Sequence, residues 1–253
     1  MLSNGTLITP NVAKELYQKG VNHIQVSLDG AKKRHEKIRG VPGCYEKALE
    51  GIVNSEKAGI PTNISMTAMK SNIADFEDVI LAGIEAGAQS VCFQSYVPSL
   101  TQGASDPEYL DAIETKKLFS WTSNLVKKYK SQIRVLQTEV LWQIMQEDNP
   151  LKKFARENMK YLNGCSAGYF TLSVLSNGDV YPCRRLPINI GHIDQGIKNL
   201  ILKSEVMKNL RDLEKLKENT GCDMVYHCRG CRAIAYAING DYLSKDPMCF
   251  KGK

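Results

Sequence analysis

No segment of the 253-residue sequence approaches the ~20 consecutive apolar residues that span a bilayer. Its opening, MLSNGTLITP, lacks the basic region followed by an apolar core that marks a secretory signal. A membrane partner is therefore not expected, and a cytoplasmic setting is. Basic tracts are missing too. The net charge of +6 comes from lysines scattered over helix-like stretches such as NLVKKYK and LILKSEVMKNL. Without a basic stripe interleaved with aromatics, nucleic acid is not an expected partner. There is no internal repeat or low-complexity segment, and 43% hydrophobic with 24% charged residues excludes a disordered or fibrous class.

What is present first is alternation. TPNVAKELYQKG reads as a helix with Thr9 as N-cap, Pro10 at its first position, Val12, Leu16 and Tyr17 along one face, and Gly20 as its stop. HIQVSLDG then reads as a buried strand over residues 24–28. A helix over 45–58, a strand at TNISMTAM, a helix over 74–86, a strand at SVCFQSYV and a helix over 115–129 follow. Strands separated by such helices predict βαβ units and a parallel sheet, open or closed into a barrel. Sheets of this kind bind ligands at the carboxyl ends of their strands. Here those ends carry Asn4 and Gly5, then Ser27, Asp29 and Gly30, then Lys70, Ser71 and Asn72, then Gln94 and Ser95, a polar rim.

The character of the chain changes near Asp148. Only Cys44 and Cys92 precede it, whereas Cys165, Cys183, Cys222, Cys228, Cys231 and Cys249 follow. A boundary is expected between Ser131 and Lys160, giving a domain over 1–130, a helical linker over 131–160 and a cysteine-rich domain over 161–253. YFTLSVLSNGDVYPC reads as a hairpin with a two-residue turn at Asn177-Gly178, which would bring Cys165 and Cys183 near one another. Trp121 and Trp142 read as core or domain-interface residues, and Cys44 and Cys92 as buried small hydrophobes.

In a reducing compartment, clustered thiols are better accounted for by metal binding or catalysis than by disulfides. Cys228-x-x-Cys231 has the spacing that lets two thiolates bind one centre, and thiolates favour zinc or iron-sulfur clusters. Structural zinc takes four ligands in paired short spacings, and only one such pair is present, so clusters fit better than zinc. Inert buried thiols are the third reading.

CSAGYFTLSVLSNGDVYPC, of the form C-x12-G-x4-C, together with CDMVYHCRGCRAIAYAINGDYLSKDPMC, closely resembles the SPASM domain, the auxiliary-cluster module of radical SAM enzymes. SNGTLIT and GVNHIQVSLDGAKKRHEKIRGVPGCYEKALEGI resemble a radical SAM core from the end of its third strand through its fourth helix. The resemblance implies an α/β fold: a partial parallel (β/α) radical SAM barrel, strands three to six, followed by a small cysteine-rich SPASM domain. It implies auxiliary 4Fe-4S clusters, one or two, with Cys165, Cys183 and Cys231 at one and Cys222, Cys228 and Cys249 at the other. Many relatives carry a further cysteine where this chain has Asn219, so a fourth iron would take Asp223, Asp179 or water, or stay open to substrate. For S-adenosyl-L-methionine (SAM) the matching rim positions are Asn4, Gly5, Ser27, Asp29 and Arg39, with His35 a further contributor. Plain readings stand beside these: Asn4-Gly5 and Asp29-Gly30 as turns, His35 with Arg39 as a solvated helical pair.

Two motifs of the family are missing. Neither the C-x3-C-x2-C triad that holds the SAM-binding cluster nor the glycine-rich acidic motif that contacts the methionine amine of SAM occurs in the sequence, and Cys44 and Cys92 cannot supply the triad. The chain is therefore expected to be inactive alone, as a fragment or a split half of an enzyme, with SAM as cofactor only if the missing part is supplied. By resemblance the substrate is a peptide, a protein or a tetrapyrrole, and the electron donor a reductant such as ferredoxin or flavodoxin. The alternatives are a non-catalytic cluster-bearing binding or relay subunit, and a zinc-stabilised domain.

Overall fold

The computed structural model describes residues 1–145 and 164–251. Contacts divide the chain into two compact units, one of Met1–Tyr96 with Lys117–Glu139, the other of Val97–Lys116 with Val140–Lys253.

The first unit is built on five parallel strands: β1 (Leu2–Ser3), β2 (Ile24–Ser27), β3 (Thr62–Ala68), β4 (Ser90–Ser95) and β5 (Arg134–Leu136). Their order in the sheet is their order in the chain. An order that never reverses has no switch point, so this is an arc of a barrel rather than a doubly wound sheet. Helices α1 (Pro10–Gln18), α2 (Lys32–Arg39), α3 (Cys44–Lys57), α4 (Phe76–Glu85) and α5 (Ala112–Tyr129) lie between the strands. β3 and β4 are buried at nearly every position, as parallel strands covered on both faces must be. Ile24, Val26, Ile64, Met66, Val91 and Phe93 form the centre of this core, with Phe93 edge-to-face on Phe76 at 5.3 Å and on Phe119 at 5.6 Å.

Two expectations change here. β5 lies inside the stretch assigned to a helical linker, so five strands stand where the pattern gave four; three residues, RVL, are too short to produce a readable alternation. The remainder of that linker, from 146 to 160, lies outside the described residues. In α1, Thr9 does accept the Val12 N–H and Gly20 does adopt φ +84°, but Val12 and Tyr17 are exposed and Ala13 makes the buried contact.

The second unit holds the hairpin β6 (Ser173–Val174) and β7 (Val180–Tyr181), then α6 (Ile197–Lys203), α7 (Glu205–Arg211), α8 (Leu213–Thr220) and α9 (Arg232–Asn239). The hairpin turn differs from its two-residue reading. Leu175 N–H bonds Asp179 O at 2.8 Å and Gly178 N–H bonds Leu175 O at 2.9 Å, leaving Ser176, Asn177 and Gly178 as a three-residue loop whose last member is left-handed, φ +89°. Trp142 is fully buried in this unit, whereas Trp121 is half-buried in the first.

Candidate functional site

The rim at the strand ends is held by one polar network. Asp29, just past β2, is 2% exposed. Its Oδ1 accepts the Thr67 N–H at 2.9 Å and its Oδ2 pairs with Arg39 of α2. Its backbone N–H donates to His35 Nδ1 at 3.0 Å, and its carbonyl accepts from Asn72 Nδ2 at 3.0 Å. Asn72, also buried, bonds Thr67 O and Met69 N–H as well. Burial is the main cause that lowers the His35 pKa, which fits a neutral imidazole accepting at Nδ1. The solvated reading is thus corrected for His35, which is 2% exposed, whereas Arg39 at the end of α2 is exposed and pairs with Asp29.

The other rim residues divide by role. Asn4 is exposed, its Oδ1 accepting from Thr6 N–H and Oγ1. Gly5 is buried with φ +79°, and a Cβ there would sit 2.9 Å from Val26 Cγ1. A Cβ on Gly51 of α3 would lie 2.2 Å from Gly5 O, so these two glycines let helix and strand end touch. Ser27 is half-buried, and its hydroxyl makes no hydrogen bond among the described residues.

The second unit holds six cysteines, three of which line one recess. All are free thiols. Cys222, Cys228 and Cys249 line this recess, with Leu216, Met224 and Val225 as its apolar wall and Arg229, Arg232, Lys245 and Lys251 also lining it. Burial pushes the Cys228 thiol up to about 12, against the Gly230 N–H that bonds its sulfur. Burial also raises Cys249, against the Lys251 N–H. Backbone N–H groups two residues past a cysteine and aimed at its sulfur suit a thiolate bound to metal. The Cys228-x-x-Cys231 turn itself uses consecutive left-handed residues, Arg229 at φ +62° and Gly230 at φ +61°.

The other three cysteines are gathered by backbone. Cys165 N–H bonds Cys228 O at 3.1 Å, and a Cβ on Gly164 would meet that same carbonyl at 2.5 Å. Thr171 Oγ1 bonds Pro182 O at 3.0 Å, which joins the segment after Cys165 to the residue before Cys183. Cys231 N–H bonds Asp246 Oδ2 at 2.7 Å. Of the fourth-ligand candidates, Asp179 Oδ2 accepts from Asn177 Nδ2 at 2.7 Å in the hairpin loop, and the Asp223 side chain lies outside the description. Among the described residues no group of three or more His, Cys, Asp or Glu stands close enough together to hold a metal ion. Soft donors, N–H bonds to sulfur and a cationic lining fit an anionic iron-sulfur cluster.

Asp246 was not singled out by the sequence reading. It stands in SKDPMC, and the Asp-Pro pair three residues before Cys249 is the signal that could have marked it as a turn that orients a ligand.

A family model described as "Radical SAM superfamily" matches residues 1–82, and one described as "Iron-sulfur cluster-binding domain", SPASM, matches residues 165–232. The AdoMet-dependent heme synthase of Methanosarcina barkeri is 32% identical over 98% of this chain and 73% of its own length. The chain belongs to the radical SAM family with a SPASM domain. A second radical SAM relative, the AdoMet-dependent heme synthase of Nitratidesulfovibrio vulgaris, is 27% identical over 98% of the chain and 70% of its own. The mycofactocin maturase of Mycolicibacterium smegmatis is 27% identical over 99% and 62%. Among solved structures, Streptococcus suis SuiB bound to S-adenosylmethionine matches with a TM-score of 0.69 at 14% identity, covering 98% of this chain and 58% of SuiB. That likeness establishes the radical SAM/SPASM fold. No helix among the described residues is long and apolar enough to cross a membrane.

Proposed function

We propose that this chain binds auxiliary 4Fe-4S clusters through two cysteine sets and belongs to an enzyme that modifies the side chains of an iron tetrapyrrole by SAM-derived radical chemistry. The observation that carries the cluster assignment is the shared recess of Cys222, Cys228 and Cys249, with Gly230 and Lys251 N–H groups turned to the sulfurs. Cys165, Cys183 and Cys231 form the second set in this reading. Tetrapyrrole chemistry is supported by the heme synthase at 32% identity over nearly the whole chain.

In this reading Asn4, Gly5, Ser27, Asp29 and Arg39 form the SAM-facing rim. Asp29 and Arg39 act by holding β2 to β3, Gly5 by letting α3 close on the strand end, and Ser27 by offering its hydroxyl to the ligand. When bound, the clusters supply one-electron transfer at low potential. The chain's own contribution is to exclude water with the wall of Leu216, Met224 and Val225 and to balance cluster charge with the lysines and arginines that line the recess. A reductant such as ferredoxin or flavodoxin delivers the electron, and the setting is cytoplasmic.

A peptide substrate is the second reading, favoured by the mycofactocin maturase at 27% identity over 99% of the chain. Titration of the cluster-loaded protein with haem, followed by the Soret band, separates the two. Saturable binding that unrelated peptides do not displace is expected. Haem that shows no saturable band shift would overturn the tetrapyrrole reading.

A further inference from the structure

Resting on the cluster reading, we infer that Asp246 is a positioning residue common to both cysteine sets, and that its negative charge tunes the potential of what they hold. Asp246 is 3% exposed. One carboxylate oxygen, Oδ2, accepts the N–H of Cys231, a member of the first set, at 2.7 Å. The other, Oδ1, accepts the N–H of Met248 at 2.9 Å, and its carbonyl accepts the N–H of Cys249, a member of the second set, at 3.0 Å. One residue therefore fixes the backbone of a ligand in each set. With both carboxylate oxygens given to N–H donors, Asp246 braces the backbone on either side of it.

The surroundings show that this brace is built. Gly230, inside the Cys228-x-x-Cys231 turn, packs so closely that a Cβ would meet Asp246 Cβ at 2.6 Å. Arg232 next to Cys231 secures the same loop from the other side, its Nη1 donating to Tyr242 O at 2.9 Å and to Ser244 O at 2.7 Å. Burial pushes the Asp246 pKa up, while the N–H groups of Cys231 and Met248 and the positive potential of Arg232 and Arg185 oppose it and favour the carboxylate, whose field reaches Cys228, Cys249 and the half-buried Tyr109. A buried anion beside a cluster disfavours adding an electron to it, because the interior screens charge poorly. The field falls on Cys228 and Cys249 of the second set, and the hydrogen bond to Cys231 ties the first set to the same carboxylate.

The test compares Asp246→Asn and Asp246→Glu with the native chain, each reconstituted anaerobically, using iron and labile sulfide content, EPR-monitored redox titration and the rate of iron loss to a chelator. Asn has nearly the same shape without the charge, whereas Glu keeps the charge and lengthens the arm. Asp246→Asn is expected to raise the midpoint potential and to speed chelation roughly tenfold, the effect of losing one hydrogen bond to a charged group. Asp246→Glu is expected to speed chelation while leaving the potential at its native value. An unchanged potential in Asp246→Asn, or an equal rise in both variants, would overturn the inference. Should Asp246→Asn fail to fold, a native potential in Asp246→Glu supports the inference and a raised one contradicts it. Native protein that takes up no labile sulfide sinks the cluster reading itself, a separate result.

Discussion

Asp29 has every polar group engaged: two carboxylate oxygens on Thr67 N–H and Arg39, its N–H on His35, its carbonyl on Asn72. Removing the carboxylate strands the Thr67 N–H and the Arg39 charge together. Asp29→Ala is predicted to destabilise the first unit by about 2 kcal/mol, read as a lower urea midpoint, since Arg39 is partly solvated and the penalty falls below that of a fully buried pair. His35 adds a pH dependence. Burial holds its folded-state pKa below the ordinary ~6.5, so below that pH the unfolded chain takes up a proton that the folded one does not. Stability is then full above about pH 6.5 and falls as the pH drops toward the folded-state pKa. A His35→Asn variant should show a flatter urea midpoint across that window, and an equal slope in both proteins would refute the assignment.

Among the elements, α3 and the turn after β1 meet through two glycines. Alanine is normally a better helix former than glycine by about 1 kcal/mol, so Gly51→Ala would stabilise a solvated helix. Here the added Cβ would stand 2.2 Å from Gly5 O, backbone that cannot turn aside. Gly51→Ala is therefore predicted to destabilise by about 1–3 kcal/mol, with thermal unfolding as the check. The sequence made the elements legible where periodicity was long, as in α3 and in the strands TNISMTAM and SVCFQSYV. It failed where local chemistry was too short to read. Three residues of β5 carry no pattern, and Asn177-Gly178 signals a tight turn without saying whether one residue more is enclosed. The cysteines could be proposed as ligands from the sequence because thiol spacing is itself a chemical signal. Asp246, Arg232 and the burial of His35 were not legible, since their roles depend on partners elsewhere in the chain.

For the whole molecule, family and fold rest on two models matched in chain order and on a relative similar along nearly the full length. The cluster reading adds that six cysteines in the second unit are ligands, whereas Cys92 is a core thiol whose sulfur accepts from Asn63 Nδ2 at 3.6 Å. The most direct test is metal analysis of anaerobically purified and reconstituted protein, native and with Cys183→Ala, Cys228→Ala or Cys92→Ala. The account predicts iron with matching labile sulfide in the native chain, less of both in Cys183→Ala and Cys228→Ala, and native content in Cys92→Ala. Zinc without labile sulfide, or iron lost from Cys92→Ala and kept in Cys228→Ala, would contradict it.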